Sequence, residues 1–351
     1  MSRLRGIFSE EELEYYSRQM VLDEIGVDGQ FKLKGARACV VGLGGLGSPI
    51  SMQLASMGVG HLRIVDRDVV EISNLQRQHL YGVDVVGYPK VEAAASRLRR
   101  LNPYIEVETV PLSLNYDNAE AVLEGADVVV DGLDSMSPRY AVNRACVSLG
   151  IPYVYGAVLT YIGNVSTIIP GETACLECFQ GGVDDATLLS CAVVGVSPSI
   201  IGVVASIEAS EAVRIILKRK PNLANTLLFC DLNDLTFERI ELAKVENCPV
   251  CGASPRSEAH SITRELVEEL CGREGRRVFV VNPLDALELD LEMINQRLLE
   301  LGYRIQVEAK LGISFTNSKG LKGSILKTGI AIIEGVEDRD KAAELHSQLV
   351  N

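Results

Sequence analysis

Residues 36–47 read ARACVVGLGGLG: a short apolar run, Ala36 to Val41, followed without a break by Gly42, Gly44, Gly45 and Gly47. The run is that of a buried strand. Glycines placed directly after it let the backbone turn sharply and approach a phosphate closely. The N-terminus of a following helix offers unpaired N–H groups to the same anion. Ser48 to Met57 carries small and apolar residues at helical spacing, Gly58 and Gly60 stop it, and His61 to Val65 is the next strand. Asp66 stands at the end of that strand, where a carboxylate accepts hydrogen bonds from ribose hydroxyls. The spacing therefore predicts a nucleotide site, and the motif by itself points to a dinucleotide such as NAD.

The alternation continues outward. Helices are expected at Lys90–Leu101, Asn118–Glu124 and Arg139–Leu149, with strands at Ile105–Val110, Asp127–Asp131 and Pro152–Ala157. Strands alternating with helices in this way predict an α/β fold, a doubly wound, mainly parallel, Rossmann-like sheet. Upstream, Glu10–Ile25 reads as one helix capped by Ser9. Past Gly156 the rhythm changes to antiparallel strands at Asn164–Ile169, Thr226–Asp231 and Thr236–Leu242, around a long helix at Ser199–Lys218. The first domain is expected to span residues 1–252, and residues 253–262, polar with Pro255, form a linker. Residues 263–351 predict a small C-terminal α+β domain. Its elements are a helix at Thr263–Leu270, a strand at Arg277–Val281, a helix at Leu291–Leu301 and a strand at Tyr303–Glu308. Two or three strands follow between Gly312 and Ile333, and a helix at Asp338–Leu349 ends the chain.

The chain has 351 residues, 34 Lys plus Arg and 47 Asp plus Glu, a formal net charge of −13 that argues against general binding to nucleic acid or anionic membrane. Hydrophobic residues make up 47%, which excludes wholesale disorder. No apolar run follows Met1–Gly6, so no signal peptide is expected, and the expected compartment is the reducing cytoplasm. The longest apolar stretch, Val193–Leu217, is broken by Glu208, Glu211 and Arg214 and reads as a buried helix. Nine cysteines then read as metal ligands, catalytic groups or core. Cys175-Leu-Glu-Cys178 and Cys248-Pro-Val-Cys251 are both C-x₂-C, and together they supply the four thiolates of a closed structural zinc site stapling two distant segments. Cys39, Cys146 and Cys230 lie in apolar runs and read as core.

These residues, taken in order, resemble the ubiquitin-activating-type adenylyltransferases of the MoeB/ThiF/HesA group over residues 8 to 252. The resemblance rests on Tyr16-Ser-Arg18-Gln19, the glycine loop, Val65-Asp66-Arg-Asp68 and Ser73-Asn74-Leu-Gln76-Arg77-Gln78. It continues through Gly87-Tyr-Pro-Lys90, Asp131-Gly-Leu-Asp134, the cysteine pairs and Cys191. It implies ATP, not NAD, in the nucleotide site, and adenylation of the C-terminal glycine of a ubiquitin-like or sulfur-carrier protein ending in Gly-Gly. Arg77 and Lys90 are then the phosphate contacts, Asp134 the magnesium carboxylate, Asp66 the ribose ligand, and Asn74 and Gln76 the groups that orient the nucleotide or acyl group. Arg18 is expected to reach the partner's ATP across a homodimer. The group's usual Asn after the aspartate is Ser135 here. Asp68 is either a site residue or a loop cap, and Arg139 either a phosphate neighbour or a helix-surface residue.

Cys191 is read as an acceptor thiol for the adenylate or as a small buried residue. A sulfur donor or a conjugating enzyme is a further candidate partner. The C-terminal region matches no family, and by position it docks a carrier or extends the dimer. Its lysines 310, 319, 322 and 327 form a small basic face or plain solvated surface. Three rival readings remain. One is an adenylating relative acting on another carboxylate, on a tRNA base or a peptide. Another is an inactive nucleotide-binding subunit. The third is an NAD-dependent oxidoreductase, which has no use for the paired C-x₂-C motifs.

Overall fold

The computed structural model describes residues 8–185, 194–253, 266–271 and 277–350. The strand at the centre of the motif is β1, Arg37–Val41, and its last four residues are buried. A strand without alternation is covered on both faces, and two parallel neighbours flank it: β2 (His61–Val65) and β4 (Val128–Asp131). β3 (Glu106–Val110) continues the parallel sheet beyond β2, and β5 (Tyr153–Leu159) beyond β4. β6 (Ile162–Ile168), β7 (Thr226–Asp231) and β8 (Thr236–Glu241) add antiparallel pairs, so the sheet runs β3-β2-β1-β4-β5-β6-β7-β8. The chain order reverses between β1 and β4, and the loops leaving those two strands form a crevice there.

One face of the sheet is covered by the helices Gly47–Ser56, Lys90–Leu101 and Pro198–Ile216. The other is covered by Ala119–Leu123, Met136–Leu149 and Leu176–Gln180. The alternating pattern of residues 36–170 is thus realised within a residue or two at most boundaries, the start of Met136–Leu149 excepted. The N-terminal segment differs. The expected single helix breaks into Glu10–Tyr15 and Ser17–Met20, and a further helix, Gly26–Gly35, follows. Gly26 at φ +55° marks the turn between them.

The second sheet is antiparallel, in the order β11-β12-β13-β14-β10-β9. Its strands are β9 (Val267–Cys271), β10 (Arg277–Val281), β11 (Arg304–Glu308), β12 (Gly312–Thr316), β13 (Lys322–Leu326) and β14 (Ala331–Glu334). Helices Leu291–Glu300 and Arg339–Val350 pack on one face around Phe279 and Phe315. The expected helix at Thr263–Leu270 is corrected here: Val267–Cys271 is an edge strand paired with β10. Its helix-like local composition is overridden by the hydrogen bonds a neighbouring strand offers. The expected linker falls almost entirely on residues outside the described ones.

The helix Pro198–Ile216 accounts for the charges inside the long apolar stretch. Glu211 accepts hydrogen bonds from Thr167 Oγ1 (2.7 Å), Asn222 N (3.0 Å) and Leu223 N (2.8 Å). Arg214 donates to the Lys220 carbonyl beyond the helix end. Among the described residues no helix is long and apolar enough to cross a membrane. Glu208 is fully buried and both its oxygens lack a hydrogen-bond partner among the described residues. It faces Gly156, where any Cβ would overlap its carboxyl group. Burial pushes its pKa well above the usual carboxylate range. A carboxyl whose folded pKa is raised binds more protons in the folded state, so stability falls as pH rises above its unfolded value of about 4.3. Glu208→Gln is therefore expected to raise the thermal midpoint by roughly a few degrees at pH 8 and to leave it nearly unchanged near pH 4. Melting curves at the two pH values check this, and an equal shift at both would count against a titrating Glu208.

Candidate nucleotide and metal sites

The crevice is built from backbone in contact with backbone. Gly42, at φ +86°, lies so close to the turn after β4 that a Cβ on it would come within 2.5 Å of the Gly132 carbonyl oxygen. A Cβ on Gly47 or on Gly132 would overlap the Gly42 carbonyl oxygen. The turn after β1 thus sits against the turn after β4 with no room for side chains, and the helix Gly47–Ser56 begins at this point. Ser48 Oγ and Tyr81 Oη both donate to the Leu43 carbonyl, at 3.1 and 3.0 Å, and hold the loop from the other side.

Asp66 leaves the end of β2 and accepts the Leu43 N–H (2.7 Å) and the Asp68 N–H (2.7 Å). Each carboxylate oxygen keeps a second lone pair for an incoming hydroxyl. Burial raises its pKa, opposed by the charge of Lys90. Lys90 opens its helix and donates to Asp68 Oδ2 at 2.9 Å, with its side chain only 7% exposed. Burial acts against the Lys90 ammonium, but Asp66 and Asp68 together hold its pKa well above the ordinary value. Asp68 is thereby kept below the usual carboxylate range against its own burial, by Lys90 and Arg67. Of the two readings of Asp68, the structure shows an ion-pair partner for Lys90.

The segment 73–78 wraps over the same loop. Asn74 is buried and its Oδ1 takes the Glu71 N–H at 3.1 Å, so it clamps its own turn. Arg77 donates to the Ser73 carbonyl at 3.0 Å and lies over Gly45. Gln76 points into solvent. Gln78, quoted in the motif without a role, is buried against Gly44, and its Oε1 has no hydrogen-bond partner among the described residues. Asp134 is exposed at the end of the turn after β4 and makes no hydrogen bond or close ion pair among the described residues. Ser135 does not cap the following helix with its side chain. Asp185 does so instead, accepting the N–H groups of Met136 (2.6 Å) and Ser137 (2.9 Å). Its distance along the chain hid that role from sequence reasoning.

Arg139 fits neither expectation. It is buried, paired with Asp131 Oδ2 at 2.9 Å, and donates to the carbonyls of Leu133 (2.7 Å) and Gly156 (2.8 Å). Tyr153 Oη completes the Asp131 carboxylate at 2.6 Å. Arg139 therefore shapes the turn that carries Asp134 and is not a helix-surface residue. Arg18 sits on the short helix Ser17–Met20, exposed and without a hydrogen bond or ion pair among the described residues. Its neighbour Gln19 donates to the Met57 carbonyl at 2.7 Å. Met57 caps the far end of the helix that Gly47 begins, a helix about 15 Å long, and Gln19 beside Arg18 is bonded there. Cys191 lies outside the described residues. Cys39, Cys146 and Cys230 are buried as expected.

The C-x₂-C pairs come together as one cluster, with their four Sγ atoms within 4.8 Å of one another. Cys175–Cys178, Cys175–Cys248 and Cys178–Cys251 Sγ separations are 3.9, 3.6 and 3.4 Å. A tetrahedron with Zn–S bonds of about 2.3 Å has edges of about 3.8 Å, so the cage fits a zinc ion. Cys175 is the N-cap residue of Leu176–Gln180, and Cys248 and Cys251 lie in the turn after β8. Arg144 clasps Glu177 with two hydrogen bonds, at 2.9 and 3.0 Å, and ties the cage to the sheet's helices.

The sequence model of the ThiF family matches residues 16–250. The chain belongs to the ThiF family. It is 43% identical over 242 residues to the SAMP-activating enzyme E1 of Haloferax volcanii, covering 69% of this chain and 89% of that protein. It is 40% identical over 273 residues to the sulfur carrier protein adenylyltransferase of Thermus thermophilus, covering 76% of this chain and 98% of that one. Among solved structures, E. coli MccB with ATP superposes with a TM-score of 0.61 at 26% identity, over 70% of this chain and 75% of that one. The ThiF match ends at Val250, one residue short of the last cysteine of the cage.

If the cage holds zinc, the purified protein carries about one zinc per chain by elemental analysis. Chelation or Cys248→Ser then lowers the unfolding midpoint by roughly 10 °C, since such ions bind with on the order of 10 kcal/mol in small folds. Freshly prepared protein without zinc overturns the assignment.

Proposed function

We propose that this chain is an adenylyltransferase that activates the C-terminal glycine of a ubiquitin-like or sulfur-carrier protein ending in Gly-Gly. One observation carries the reading. The glycine loop, Asp66, the Asp68–Lys90 pair, Arg77 and a free Asp134 converge on one switch point in a ThiF-family chain. A carboxylate oxygen of the carrier attacks the α-phosphorus of ATP, the bond to the bridging oxygen breaks, and pyrophosphate leaves. Charge develops on the phosphate oxygens, and fixed cations and N–H groups aimed at it lower the barrier. Lys90 and Arg77 supply the cations, the loop Gly42–Gly47 the N–H groups, and Asp66 the ribose contact. Asn74, buried, fixes the 71–74 turn, and the exposed Gln76 is left to orient the nucleotide or acyl group.

Asp134 fits a magnesium ligand because its carboxylate is exposed and unpaired, and Mg²⁺ binds through few carboxylates plus substrate phosphate. When bound, that ion neutralises phosphate charge. In a second step a thiol displaces AMP from the adenylate. The thiol is that of Cys191, a sulfur donor or a conjugating enzyme. Asp185, pinned beside Asp134, starts the segment that carries Cys191. The cage cysteines hold zinc structurally, with no open position for catalysis, and reduced thiols suit the cytoplasm. The adenylating unit is residues 1–252, and residues 263–351 form a second domain beyond the linker 253–262.

The active form in this reading is a homodimer with Arg18 acting on the partner's nucleotide. Gln19, next to Arg18, is bonded at the end of the helix farthest from its own glycine loop, which supports a role for Arg18 at another chain's nucleotide. Val21 and Leu22, which follow Arg18 closely in the chain, and Phe31 on the next helix are exposed by 77%, 50% and 54%, apolar surface suited to an interface. The likeness to MccB, solved with ATP and with MccA, supports a second reading in which a carboxylate other than that of a Gly-Gly carrier, such as a peptide's, is adenylated.

ATP–pyrophosphate exchange is expected only in the presence of a Gly-Gly-ending carrier, and Asp134→Ala lowers it by about 100-fold or more. Exchange at the normal rate in that variant removes Asp134 from the magnesium site, and exchange with no carrier but with a peptide favours the second reading.

Mixing Arg18→Ala chains with Asp134→Ala chains restores part of the exchange, because one of the two sites in a heterodimer is then intact. Absence of complementation, once subunit mixing is shown by mass spectrometry, places Arg18 outside the partner's site.

A further inference from the structure

Asp68 and Lys90 sit on a short backbone ribbon just past β2, two residues beyond Asp66. The Lys90 N–H donates to the Asp68 carbonyl at 2.9 Å, the Val70 N–H to the Tyr88 carbonyl at 2.9 Å, and the Gly87 N–H to the Val70 carbonyl at 2.8 Å. Residues 68–70 and 87–90 are thus locked to each other, with Val69 opposite Pro89. The C-terminal sheet lies against this ribbon. Val69 packs on Val280, Leu326 and Ile330. Gly312, the first residue of β12, stands so close that a Cβ on it would come within 3.1 Å of the Pro89 ring.

Polar contacts from the same sheet bracket Lys90 on both sides. Before it in the chain, Ser314 Oγ donates to the Gly87 carbonyl at 2.6 Å. After it, Glu92 turns its carboxylate to the tip of the β11–β12 hairpin. Its Oε1 accepts the Lys310 N–H at 3.1 Å and its Oε2 the Leu311 N–H at 2.9 Å. Both oxygens are engaged, so the carboxylate is fixed in one place. Such charge-assisted bonds are about twice as strong as neutral ones. Arg67, between Asp66 and Asp68, adds another tie by donating to Glu268 Oε2 at 2.8 Å. Lys90 and Glu92 share the first turn of the helix Lys90–Leu101. Moving Glu92 therefore moves the turn from which the Lys90 ammonium reaches Asp68 at 2.9 Å.

We propose that Glu92 is a positioning residue for the phosphate cation Lys90: held by two backbone N–H groups of the C-terminal hairpin, it fixes the first turn of the helix and with it the place of the Lys90 ammonium. This rests on the assignment of Lys90 to an ATP phosphate given above. An ammonium is a point charge on a flexible stem, so its aim depends on the backbone that carries it. A displacement of about 1 Å in a positioning group is enough to cost up to about 100-fold. The ThiF match ends at residue 250, so the hairpin that holds Glu92 belongs to the part of the chain that the family match does not cover.

The test is a double-mutant cycle on ATP binding by the full chain, measured by calorimetry in the wild type, Lys90→Ala, Glu92→Ala and the double variant Lys90→Ala/Glu92→Ala, with a melting curve for each. Lys90→Ala is expected to weaken ATP binding by about 10- to 100-fold, the loss of a hydrogen bond to a charged group. Glu92→Ala is expected to weaken it by about three- to tenfold, a part of that same loss. In the double variant Glu92→Ala adds nothing to the loss from Lys90→Ala, because no ammonium is left to misplace. A merely structural role for Glu92 gives either wild-type affinity with a lower melting temperature or losses that multiply in the double variant, and each of these results overturns the proposal. Glu92→Gln, which keeps the size of the side chain and can accept one of the two N–H groups, carries the same cycle where Glu92→Ala does not fold. A Lys90→Ala chain that binds ATP as the wild type does, or a wild type that binds none, overturns the functional reading itself, and this inference with it.

Discussion

Three glycine backbones in mutual contact are the constraint on which the site depends. Gly42, Gly47 and Gly132 bring the turn after one central strand against the turn after its neighbour, closer than any Cβ allows. That approach starts the helix at Gly47 with its free N–H groups at the crevice. It also places the carboxylates that leave the ends of β2 and β4 on either side of it. A single methyl group at one of these positions would force backbone apart from backbone, and neither turn has a flexible side chain to yield. The remaining site groups are arranged around a scaffold that cannot move.

Charge is the second organising element. Carboxylates near the crevice are matched by cations: Lys90 for Asp66 and Asp68, Arg139 for Asp131, Arg67 for Glu268, and the Arg139–Asp131 pair is the one buried on both sides. Breaking such a pair strands a charge at low dielectric and costs far more than the pair contributes. Each cation is therefore fixed in place. Asp134 stands apart from these pairs, exposed and with no hydrogen bond or close ion pair among the described residues. Glu208 is the exception inside the core. Neither of its oxygens has a hydrogen-bond partner among the described residues, and burial outweighs the nearby charge of Arg139 in pushing its pKa up.

The four-cysteine cage works at longer range. It joins the helix Leu176–Gln180 to the turn after β8, and the Arg144–Glu177 clasp anchors it to the helix that starts after Asp134. The edge strand β8 is exposed along its whole length, so its attachment depends on β7 and on this cage.

Elements whose residues speak for themselves are legible in the amino-acid sequence. The glycine loop, the strand ends bearing Asp66 and Asp134, the alternating helices and strands to residue 168, and the two C-x₂-C pairs each carry a local signal, because backbone turns and chelating pairs are short-range chemistry. The edge strand at Val267–Cys271 reads as helix from its own composition, since its partner strand supplies the hydrogen bonds that settle it. The roles of Arg139, Asp185 and Glu268 are hidden for the same reason. A long charged side chain takes its function from what faces it, and those partners lie between 8 and 201 residues away along the chain. The sequence by itself determined which strand ends and which cysteines take part. Only the tertiary structure decided which cation pairs with which carboxylate, because that depends on distances of a few ångströms between segments that no spacing rule relates.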